Sequence, residues 1–270
     1  RVILHQALRN AIAQNELELY YQPKISAQDG HIHGFEALLR WNHPQNGLTG
    51  PGVFIPLAER FGLIGTIGAW VIEQACAQLG QWKREGVDCR VAINLSPHQL
   101  RNPRLPQLIE AALRKNHIEP SRLVCEITET ALMENVDSES EVMKQIAALG
   151  VRLSIDDFGT GYSSLAHLRR VPAKQLKIDR SFVADLEEVS EGRAVVNAIV
   201  QLAHALSIEV VAEGVETHEQ LRTLRELGCD VLQGYAIARP MPAGAVARWL
   251  AAEKLTRDER LQPGTAFAPV

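Results

Sequence analysis

The chain has 270 residues, of which 46% are hydrophobic and 22% charged, with a net charge of −4. This length and composition support a large core, and no linker-like stretch divides the sequence, so we expect one main domain. No lysine- and arginine-rich cluster interleaved with aromatic residues is present, which argues against binding of DNA or RNA. Charges interrupt every apolar stretch before the roughly 18 residues of a membrane span, and we expect a cytoplasmic domain without a membrane segment.

The two ends of the chain differ from its middle. The opening segment RVILHQALRN has the pattern of a helix already under way, so we expect this domain to be cut from a longer protein, which could carry a membrane anchor. Residues 257–270 lack periodicity and are predicted to form a C-terminal tail after a domain spanning 1–256. Four cysteines have neither a C-x-x-C pair nor a histidine at zinc spacing and are predicted to be free core thiols: Cys76, Cys89, Cys125 and Cys229.

The first strand-like runs are LELYYQPKIS (17–26) and HIHGFEALLRW (31–41). Gln28, Asp29 and Gly30 lie between them, and Asp-Gly is a hairpin signal. We therefore predict two antiparallel strands. A long amphipathic helix, IGAWVIEQACAQLGQWKREG, follows and is predicted to end at Gly86.

Past residue 90 the sequence alternates short apolar runs with amphipathic helices. Each run is continuous rather than alternating, which is typical of parallel strands covered on both faces. The spacing of about 20 to 35 residues fits a strand, a crossover helix and two loops. The runs are RVAINLS (90–96), RLVCEITE (122–129), VRLSIDD (151–157), KQLKID (174–179), IEVVAEGVE (208–216) and CDVLQGY (229–235).

Capping-box patterns mark two of the intervening helices, at Ser138 with Glu141 and at Thr217 with Gln220. Two hairpin strands and six parallel strands make eight, and this number favours an α/β fold, a (β/α)8 TIM-like barrel with an antiparallel first strand. A doubly wound open sheet is the alternative, although no G-x-G-x-x-G motif follows an early strand.

Polar residues stand where these strands are predicted to end, and in a barrel such ends meet on one face. One carboxylate at a strand end is more often a helix cap, so the inference rests on the whole set. Clustered carboxylates repel unless cations lie between them, and hard oxygen ligands favour Mg²⁺ or Mn²⁺. A site this rich could hold two ions, about 3.5–4 Å apart, which together activate water against a phosphoryl group. The set is Glu36, Asn94, Glu126, Asp156, Lys177, Glu213 and Gln233.

Three residues of this region need separate interpretation. We predict that Asp156 is the last inward residue of its strand and that Asp157 follows the strand end, where the glycines of FGTG let it turn toward a second ion. Lys177 suits two chemistries. A barrel lysine can form a Schiff base, as in an aldolase, but among so many carboxylates it should stay protonated and lie beside the attacking water.

The motifs occur in the order typical of one family. They are EALLRW at 36–41, NLS at 94–96, EITE at 126–129, DDFGTGYSSL at 156–165, KID at 177–179, EGVE at 213–216 and QGY at 233–235. From about Leu8 to Leu250 the chain resembles the EAL-type cyclic di-GMP phosphodiesterases of bacterial signalling. The resemblance implies hydrolysis of cyclic di-GMP to linear pGpG with Mg²⁺ or Mn²⁺, in a barrel with an antiparallel first strand.

The resemblance also implies roles for individual residues. Lys177 and Glu213 would lie near the nucleophilic water, and the general base is either Glu213 or a metal-bound hydroxide. Gln233 would complete the site. By the same resemblance, one metal would be held by Glu36, Asn94, Glu126 and Asp156, while Asp157 would reach the second and Glu213 would also be a metal ligand.

Further positions resemble the family's substrate contacts and loop supports. Arg40 would contact phosphate through its planar fork, and Gln22 and Asp179 would contact the ligand. Glu129 would steady the loop after Asp157, and Glu216 closes the EGVE motif. Some relatives only bind the dinucleotide, so a non-catalytic receptor is the alternative. Since no catalytic position departs from the pattern, we expect an enzyme. We also expect a homodimer that is covalently linked to a sensory or GGDEF-type domain outside this chain.

A few other residues invite a binding role. His31 and His33 share a strand face, but nothing nearby completes a metal site. Trp70 and Trp82 are predicted to pack in the core or at an interface, whereas Trp41, directly after Arg40, is left open for base stacking.

Overall fold

A computed structural model describes residues 2–133, 137–160, 168, 171–186 and 190–261, with side chains described within 6–132, 140–160, 168, 171–186 and 192–254.

The chain begins with helix α1 (Val2–Ala11) and the predicted hairpin of β1 (Leu17–Ser26) and β2 (Ile32–His43). The two strands pair antiparallel from Leu17 opposite Trp41 to Ile25 opposite Ile32. Gly30 closes the turn at φ 70°, a left-handed conformation that glycine adopts without strain. The predicted hairpin is confirmed. Beyond it, β2 also pairs with a short strand that the sequence did not indicate, β3 (Gly47–Thr49).

The six apolar runs are confirmed as strands. Helices α2 (Pro51–Arg60) and α3 (Ile64–Arg84) lead into the first of them, and Gly86 lies just past α3 at φ 79°, as predicted for a helix end. The strands are β4 (Val91–Asn94), β5 (Leu123–Thr128), β6 (Arg152–Phe158), β7 (Ala173–Ile178), β8 (Glu209–Ala212) and β9 (Val231–Gln233).

The strands close into a ring. Parallel pairing runs from β2 to β4 and then in chain order to β9, and β1 pairs antiparallel with both β9 and β2. The predicted eight-stranded barrel with an antiparallel first strand is therefore confirmed, and the doubly wound open sheet is wrong. A two-residue strand, β10 (Met241–Pro242), adds to β1 outside the ring and was not predicted.

Helices cover the outside of the barrel. Thr217 caps the helix His218–Glu226 through a capping box with Gln220, as predicted. The helix predicted to start at Ser138 begins at Asp137, and the Ser138 side chain lies outside the described residues. The helices after β4 are α4 (Pro97–Leu100), α5 (Leu105–Lys115), α6 (Glu129–Met133), α7 (Asp137–Ala148), α8 (Arg180–Ala184), α9 (Ser190–Ala205), α10 (His218–Glu226) and α11 (Ala243–Leu261), with a 3-10 turn at Pro120–Arg122.

The last helix extends into the segment that was predicted to be a C-terminal tail. Because α11 continues to Leu261, residues 257–261 are helical rather than the start of an irregular segment. The physical reason is that Arg-Asp-Glu-Arg-Leu contains no helix breaker, and the first proline comes at Pro263. Residues 262–270 lie outside the described part. In the ranges that the structure describes, none of the helices has both the length and the hydropathy to cross a membrane.

The core confirms the assignment of the cysteines and two of the tryptophans. All four cysteines are free and buried, and burial raises the pKa of Cys76, Cys89 and Cys229 to about 12, so these thiols are unreactive near neutral pH. Trp70 packs against the core, and Trp82 is buried against Tyr21.

The structure also shows the contacts of Trp41 and His33, for which the sequence suggested a binding role. Trp41 is 1% exposed and its Nε1 donates a hydrogen bond to Glu16 at 3.0 Å, so base stacking by Trp41 is wrong. His33 lies 3.4 Å from Glu209, the first residue of β8. Among the described residues, neither histidine belongs to a group that could hold a metal ion.

Candidate active site

Most of the predicted site residues meet around one cavity. Its volume is about 270 Å³, and it lies at the end of the barrel where the parallel strands finish. Several of its lining side chains are polar groups identified from the sequence, namely Gln22, Glu36, Asp156, Lys177, Glu213 and Gln233.

Lys177 is the centre of this arrangement. Its Nζ lies 2.6 Å from Glu126 Oε2 and 3.2 Å from Asp156 Oδ1, and it also contacts Glu36 and Glu213. Burial lowers the pKa of this amine, but the surrounding carboxylates outweigh burial and raise it well above its usual value. A lysine held protonated cannot attack a carbonyl, so the geometry argues against the aldolase alternative.

The side-chain amides of Asn94 and Gln233 hold the side chains of Glu36 and Gln22 in place. Asn94 Nδ2 donates to Glu36 Oε1 at 2.9 Å, and Gln233 Nε2 donates both to Glu36 Oε2 at 2.7 Å and to Gln22 Oε1 at 3.1 Å. Burial would raise the pKa of Glu36, but Lys177, Lys24 and these amides lower it to about 2. Gln233 Oε1 is buried without a hydrogen-bond partner among the described residues, so it can still accept from a ligand.

Glu36 does not end its strand, which corrects the prediction. Strand β2 continues to His43, seven residues farther on. However, β2 pairs with its barrel neighbour β4 only from Phe35 to Ala37; beyond that point it stays paired with β1 as far as Trp41, and its other edge pairs with β3 from Trp41 to His43. Glu36 therefore stands at the level where the barrel ends, although the strand itself does not.

Three carboxylates form a compact acidic group. One oxygen from each of Asp156, Asp157 and Glu213 lies within 4.8 Å of the others. Burial, reinforced by Asp156 and Asp179, raises the pKa of Asp157. Burial also raises the pKa of Glu213 to about 8; Lys177 opposes this rise, and the neighbouring carboxylates add to it. So much negative charge in a small buried space favours a proton or a cation between the oxygens.

Asp157 reaches this group by a route that differs from the prediction. Strand β6 does not stop after Asp156 but continues to Phe158, and Asp157 within it has φ 54°. Its pairing with β7 shifts between Ile155 and Phe158, which is the signature of a bulge. Because the left-handed residue breaks the alternation, the carboxylates of both neighbouring aspartates reach the same acidic group.

Gly159 is the first glycine of FGTG, which was predicted to permit the turn, and it has the left-handed conformation that such a turn requires. This residue has φ 100°, and an added Cβ would lie 2.6 Å from the Phe182 ring. The second glycine of FGTG, Gly161, lies outside the described residues.

Lys24 is a functional candidate that the sequence analysis missed. It is 3% exposed, and its Nζ lies 2.5 Å from Glu126 Oε1. Glu126 thus has one lysine on each carboxylate oxygen. Burial raises its pKa, the two lysines oppose that rise, and Glu36 and Asp156 add to it. The signal was present, because Lys24 lies two residues after Gln22 and so on the same face of β1.

Two predicted ligand contacts lie at the edge of the site. Arg40 donates to the carbonyl oxygen of Leu39 at 2.9 Å and lies over the Tyr20 ring at 5.6 Å, outside the bonded network around Lys177. Asp179 caps α8 by accepting the backbone N–H of Ser181 at 3.0 Å. Since Asp179 also raises the pKa of Asp157, it lies close to the acidic group.

Two predicted loop supports occupy different environments. Glu129 is 1% exposed, and its Oε2 accepts the backbone N–H of Gly159 at 2.8 Å. Glu216 is exposed and lines the cavity, and its backbone N–H donates to Gln220 in the cap of α10. Glu129 therefore contacts the segment after Asp157, and Glu216 stands at the rim.

Comparison with models of protein families identifies the family of this chain. Residues 5–240 match the model of the EAL domain. The chain belongs to the EAL family. In the tripeptide that gives the family its name, Glu36 and Leu38 both line the cavity, whereas Ala37 between them is buried in the hydrophobic core.

Curated relatives of this EAL domain are longer proteins. It is 48% identical over 242 residues to the bifunctional diguanylate cyclase/cyclic di-GMP phosphodiesterase MucR of Pseudomonas aeruginosa, covering 89% of this chain and 35% of MucR. It is 43% identical over 250 residues to the cyclic di-GMP phosphodiesterase NbdA of the same species, covering 92% of this chain and 32% of NbdA. The chain thus spans about a third of their length.

Solved structures agree in fold. The MucR phosphodiesterase in complex with cyclic di-GMP has a TM-score of 0.87 at 48% identity, covering 90% of this chain and 99% of that one. The FimX EAL domain from Pseudomonas aeruginosa, bound to cyclic di-GMP, has a TM-score of 0.81 at 27% identity, covering 88% and 96% of the two chains.

Proposed function

We propose that this EAL domain hydrolyses one phosphodiester bond of cyclic di-GMP to give linear pGpG in bacterial second-messenger signalling. The carrying observation is the cluster at the barrel mouth, where five carboxylates and three amides surround two buried lysines. The identity to MucR and NbdA, named as cyclic di-GMP phosphodiesterases, supports the choice of substrate.

The donor set fits divalent metal ions. Oxygen ligands without thiolate or imidazole suit Mg²⁺ or Mn²⁺, and a cation between the three carboxylates within 4.8 Å would relieve their repulsion. We propose two ions, with Glu36, Asn94, Glu126 and Asp156 as candidate ligands of one, Asp157 as a candidate ligand of the other, and Glu213 as a further ligand. Such ions supply Lewis acidity and lower the pKa of bound water.

Lys177 and Glu213 are placed to handle charge and protons. Water adds to phosphorus, the bond from phosphorus to the 3′ oxygen breaks, and the 3′ oxygen takes up a proton, so that a 5′-phosphorylated linear dinucleotide leaves. We propose that Glu213 accepts the proton of this water in its ionised form: burial raises its pKa to about 8 in the metal-free protein, and bound cations would favour the carboxylate that acts as the base. Lys177, held protonated by its carboxylates, stabilises the negative charge that develops on the phosphoryl oxygens.

The remaining contacts position the dinucleotide. We propose that Gln22 and Gln233 bind it inside the cavity, that Asp179 contacts it at the edge, and that Arg40 reaches a phosphate from β2 by leaving its carbonyl and ring partners. Glu129 would hold the segment after Asp157 through Gly159, and Glu216 would close the rim.

The surroundings of the domain are also proposals. Because the relatives are about three times longer, we propose that this cytoplasmic domain of about residues 1–261 works linked to a sensory or GGDEF-type domain. We further propose a homodimer, which sedimentation of the purified chain would test.

The test is a turnover assay with cyclic di-GMP and Mg²⁺ or Mn²⁺, with pGpG quantified by chromatography. We expect Glu36→Ala and Asp157→Ala each to lower the rate more than about 100-fold. This loss is larger than that expected from substituting a residue that contacts a metal ligand but not the metal itself. Glu110→Ala, which removes an exposed carboxylate on α5, is the matched control and should retain the parent rate.

Two results would contradict the proposal. Unchanged rates in both site variants would refute the metal assignment. Binding of cyclic di-GMP by the parent without formation of pGpG, in either metal, would favour the alternative of a non-catalytic receptor.

A further inference from the structure

Glu126 is a buried carboxylate whose two oxygens contact different lysines. Lys24 Nζ lies 2.5 Å from Oε1 and Lys177 Nζ lies 2.6 Å from Oε2, and the Glu126 side chain is 0% exposed. In the part of the chain that the structure describes, these two ammonium groups are the side-chain donors to Glu126. Hydrogen bonds between charged groups are the strong ones, so the two lysines fix the orientation of this carboxylate.

The neighbour of Glu126 on the next strand adds no third contact. Ser154 lies opposite Glu126 where β5 pairs with β6, and a serine hydroxyl is able to donate to a carboxylate. However, Ser154 Oγ is buried without a hydrogen-bond partner among the described residues. The orientation of Glu126 therefore depends on Lys24 and Lys177.

The two lysines approach Glu126 from different depths of the barrel. Of the described residues, Lys177 lines the catalytic cavity, whereas Lys24 does not. In the hairpin, Gln22 lies opposite Glu36 and Lys24 lies opposite Gly34, two residues deeper in the barrel. An ion that enters from the cavity therefore meets Glu126 from the side of Oε2, while Lys24 holds Oε1 from below.

Lys24 is itself held on a rigid part of the barrel. Strand β1 pairs on both edges at this residue, which lies opposite Gly34 of β2 and Gln233 of β9. The residue is 3% exposed, so water does not compete for its ammonium group. A supporting side chain on a rigid, paired strand is the arrangement that keeps a metal-binding group in one geometry.

We propose that Lys24 is a positioning residue for Glu126. By holding Oε1, it directs Oε2 toward the cavity, so that Glu126 binds a divalent cation through that one oxygen. Lys177 also faces the phosphoryl group in the proposed reaction, and Lys24 is the contact that stays with Glu126 throughout. This inference rests on the metal site of the proposed function and adds the residue that orients one of its ligands.

The charge of Lys24 and its hydrogen bond predict opposite effects on metal binding. A positive charge beside a cation site repels the cation, so removal of the charge alone should tighten metal binding. Loss of the donor releases Glu126 and should weaken metal binding, typically by 10- to 100-fold for a residue that orients a ligand. Lys24→Gln removes the charge but retains an N–H donor, whereas Lys24→Met removes both.

Titration with Mn²⁺ alone tests the proposal without turnover, because electron paramagnetic resonance measures the free ion directly. Glu126→Gln first identifies the binding step that depends on this carboxylate. For that step we expect the half-saturating Mn²⁺ concentration to rise about 10- to 100-fold in Lys24→Met and to stay within about threefold of the parent, or to fall, in Lys24→Gln. Lys115→Met, which removes an exposed lysine on α5, is the matched control and should bind Mn²⁺ as the parent does.

Two further measurements keep the test independent of folding. Lys24→Leu, also without a donor, is titrated beside Lys24→Met, with sucrose in every sample to keep the destabilised variants folded and circular dichroism to check that they are. In a Glu126→Gln background, Lys24→Met should cause less than about a threefold further loss, because Lys24 acts through Glu126.

The outcomes distinguish this role of Lys24 from the proposed reaction. Tighter Mn²⁺ binding in both Lys24→Met and Lys24→Gln would overturn the positioning role, since charge alone would then explain Lys24, and would leave hydrolysis intact. A tenfold loss in Lys24→Gln would also overturn it, because the donor is retained there. The expected order of affinities without formation of pGpG from cyclic di-GMP would support the positioning role and refute the hydrolase. Absence of Mn²⁺ binding by the parent would overturn both.

Discussion

Lys24 and Glu126 form a buried ion pair across the barrel, with Lys24 Nζ 2.5 Å from Glu126 Oε1. The other oxygen of Glu126 contacts Lys177 at 2.6 Å, so a single carboxylate lies between two ammonium groups. The three side chains are at most 3% exposed and therefore interact without screening by water. Lys24 thus balances the charge of the site from below the cavity.

Removing Lys24 should destabilise the fold. In Lys24→Met we expect the free energy of unfolding to fall by ~3–5 kcal/mol, because breaking a buried pair leaves Glu126 with one cation in place of two. Urea denaturation of the metal-free protein measures this change. Lys24→Met combined with Glu126→Gln should recover part of the loss, since the uncompensated charge is removed as well.

The chain supplies a matched control for this pair. Lys115 and Glu73 also lie 2.5 Å apart, but the Lys115 side chain is 69% exposed. Lys115→Met should cost less than about 1 kcal/mol, as exposed pairs do. Equal losses in Lys24→Met and Lys115→Met would contradict the importance of burial.

The stability of the metal-free domain should depend on pH through Glu213. Burial raises the pKa of this carboxyl from its ordinary value of 4.5 to about 8 in the folded protein. A raised folded pKa contributes stability that is fully present below the unfolded value and is lost as pH rises through the folded value. We therefore expect the Tm, measured with a chelator, to fall between pH 5 and pH 9.

Two comparisons check this assignment. Glu213→Gln, which imitates the protonated form, should show a smaller fall in Tm than the parent, whereas Glu110→Gln should match the parent. Saturating Mg²⁺ should also reduce the fall, because a cation favours the charged carboxylates. A full parental slope in Glu213→Gln would contradict the role of this residue.

The architecture could be predicted because its signals are local. Continuous apolar runs, the Asp-Gly hairpin and the capping box of Thr217 each concern residues close in sequence, and all were confirmed. Short strands such as β10 (Met241–Pro242) left no such signal, because two residues form a strand only when β1 lies beside them.

The fine structure of the site depends on contacts that form only when the barrel closes. Lys24 and Glu126 are 102 residues apart, and the sequence gives no local reason to pair them. Asp157 likewise stays within its strand because β7 pairs with Phe158 beyond it, while the bulge turns its side chain. The residues of the site could thus be predicted from their types and positions. The ends of the strands and the pairing of the charged side chains could not, because both depend on the tertiary structure.

Glu129 should control the segment that carries Asp157. Glu129→Ala removes the acceptor of the Gly159 N–H at 2.8 Å, and because Gly159 is exposed, water can replace that acceptor, so we expect a loss of stability of about 0.5–1.5 kcal/mol. We expect kcat to fall about tenfold because Asp157 lies two residues before the lost contact. Glu129→Gln keeps a carbonyl acceptor and should stay within about threefold of the parent.

Hydrogen exchange provides the readout specific to this contact. The Gly159 amide should exchange faster in Glu129→Ala than in Glu129→Gln, while amides of β4, such as Ile93, should be unaffected. Parental exchange at Gly159 together with a lowered kcat would mean that Glu129 acts by another route.

Gly234, directly after β9, should tolerate no side chain, because it packs against the backbone of Val215. An added Cβ would lie 2.1 Å from the carbonyl oxygen of Val215 and 2.2 Å from its nitrogen, and neither backbone atom can move aside as a flexible side chain would. Gly234→Ala should therefore lower the free energy of unfolding by ~3 kcal/mol or more, the upper range for overpacking. Gly244→Ala is the control, since nothing lies within 4 Å of its added Cβ and alanine favours the first turn of α11. Urea denaturation measures the stability of both variants. A Gly234→Ala protein as stable as Gly244→Ala would show that the backbone around Gly234 and Val215 can shift without cost.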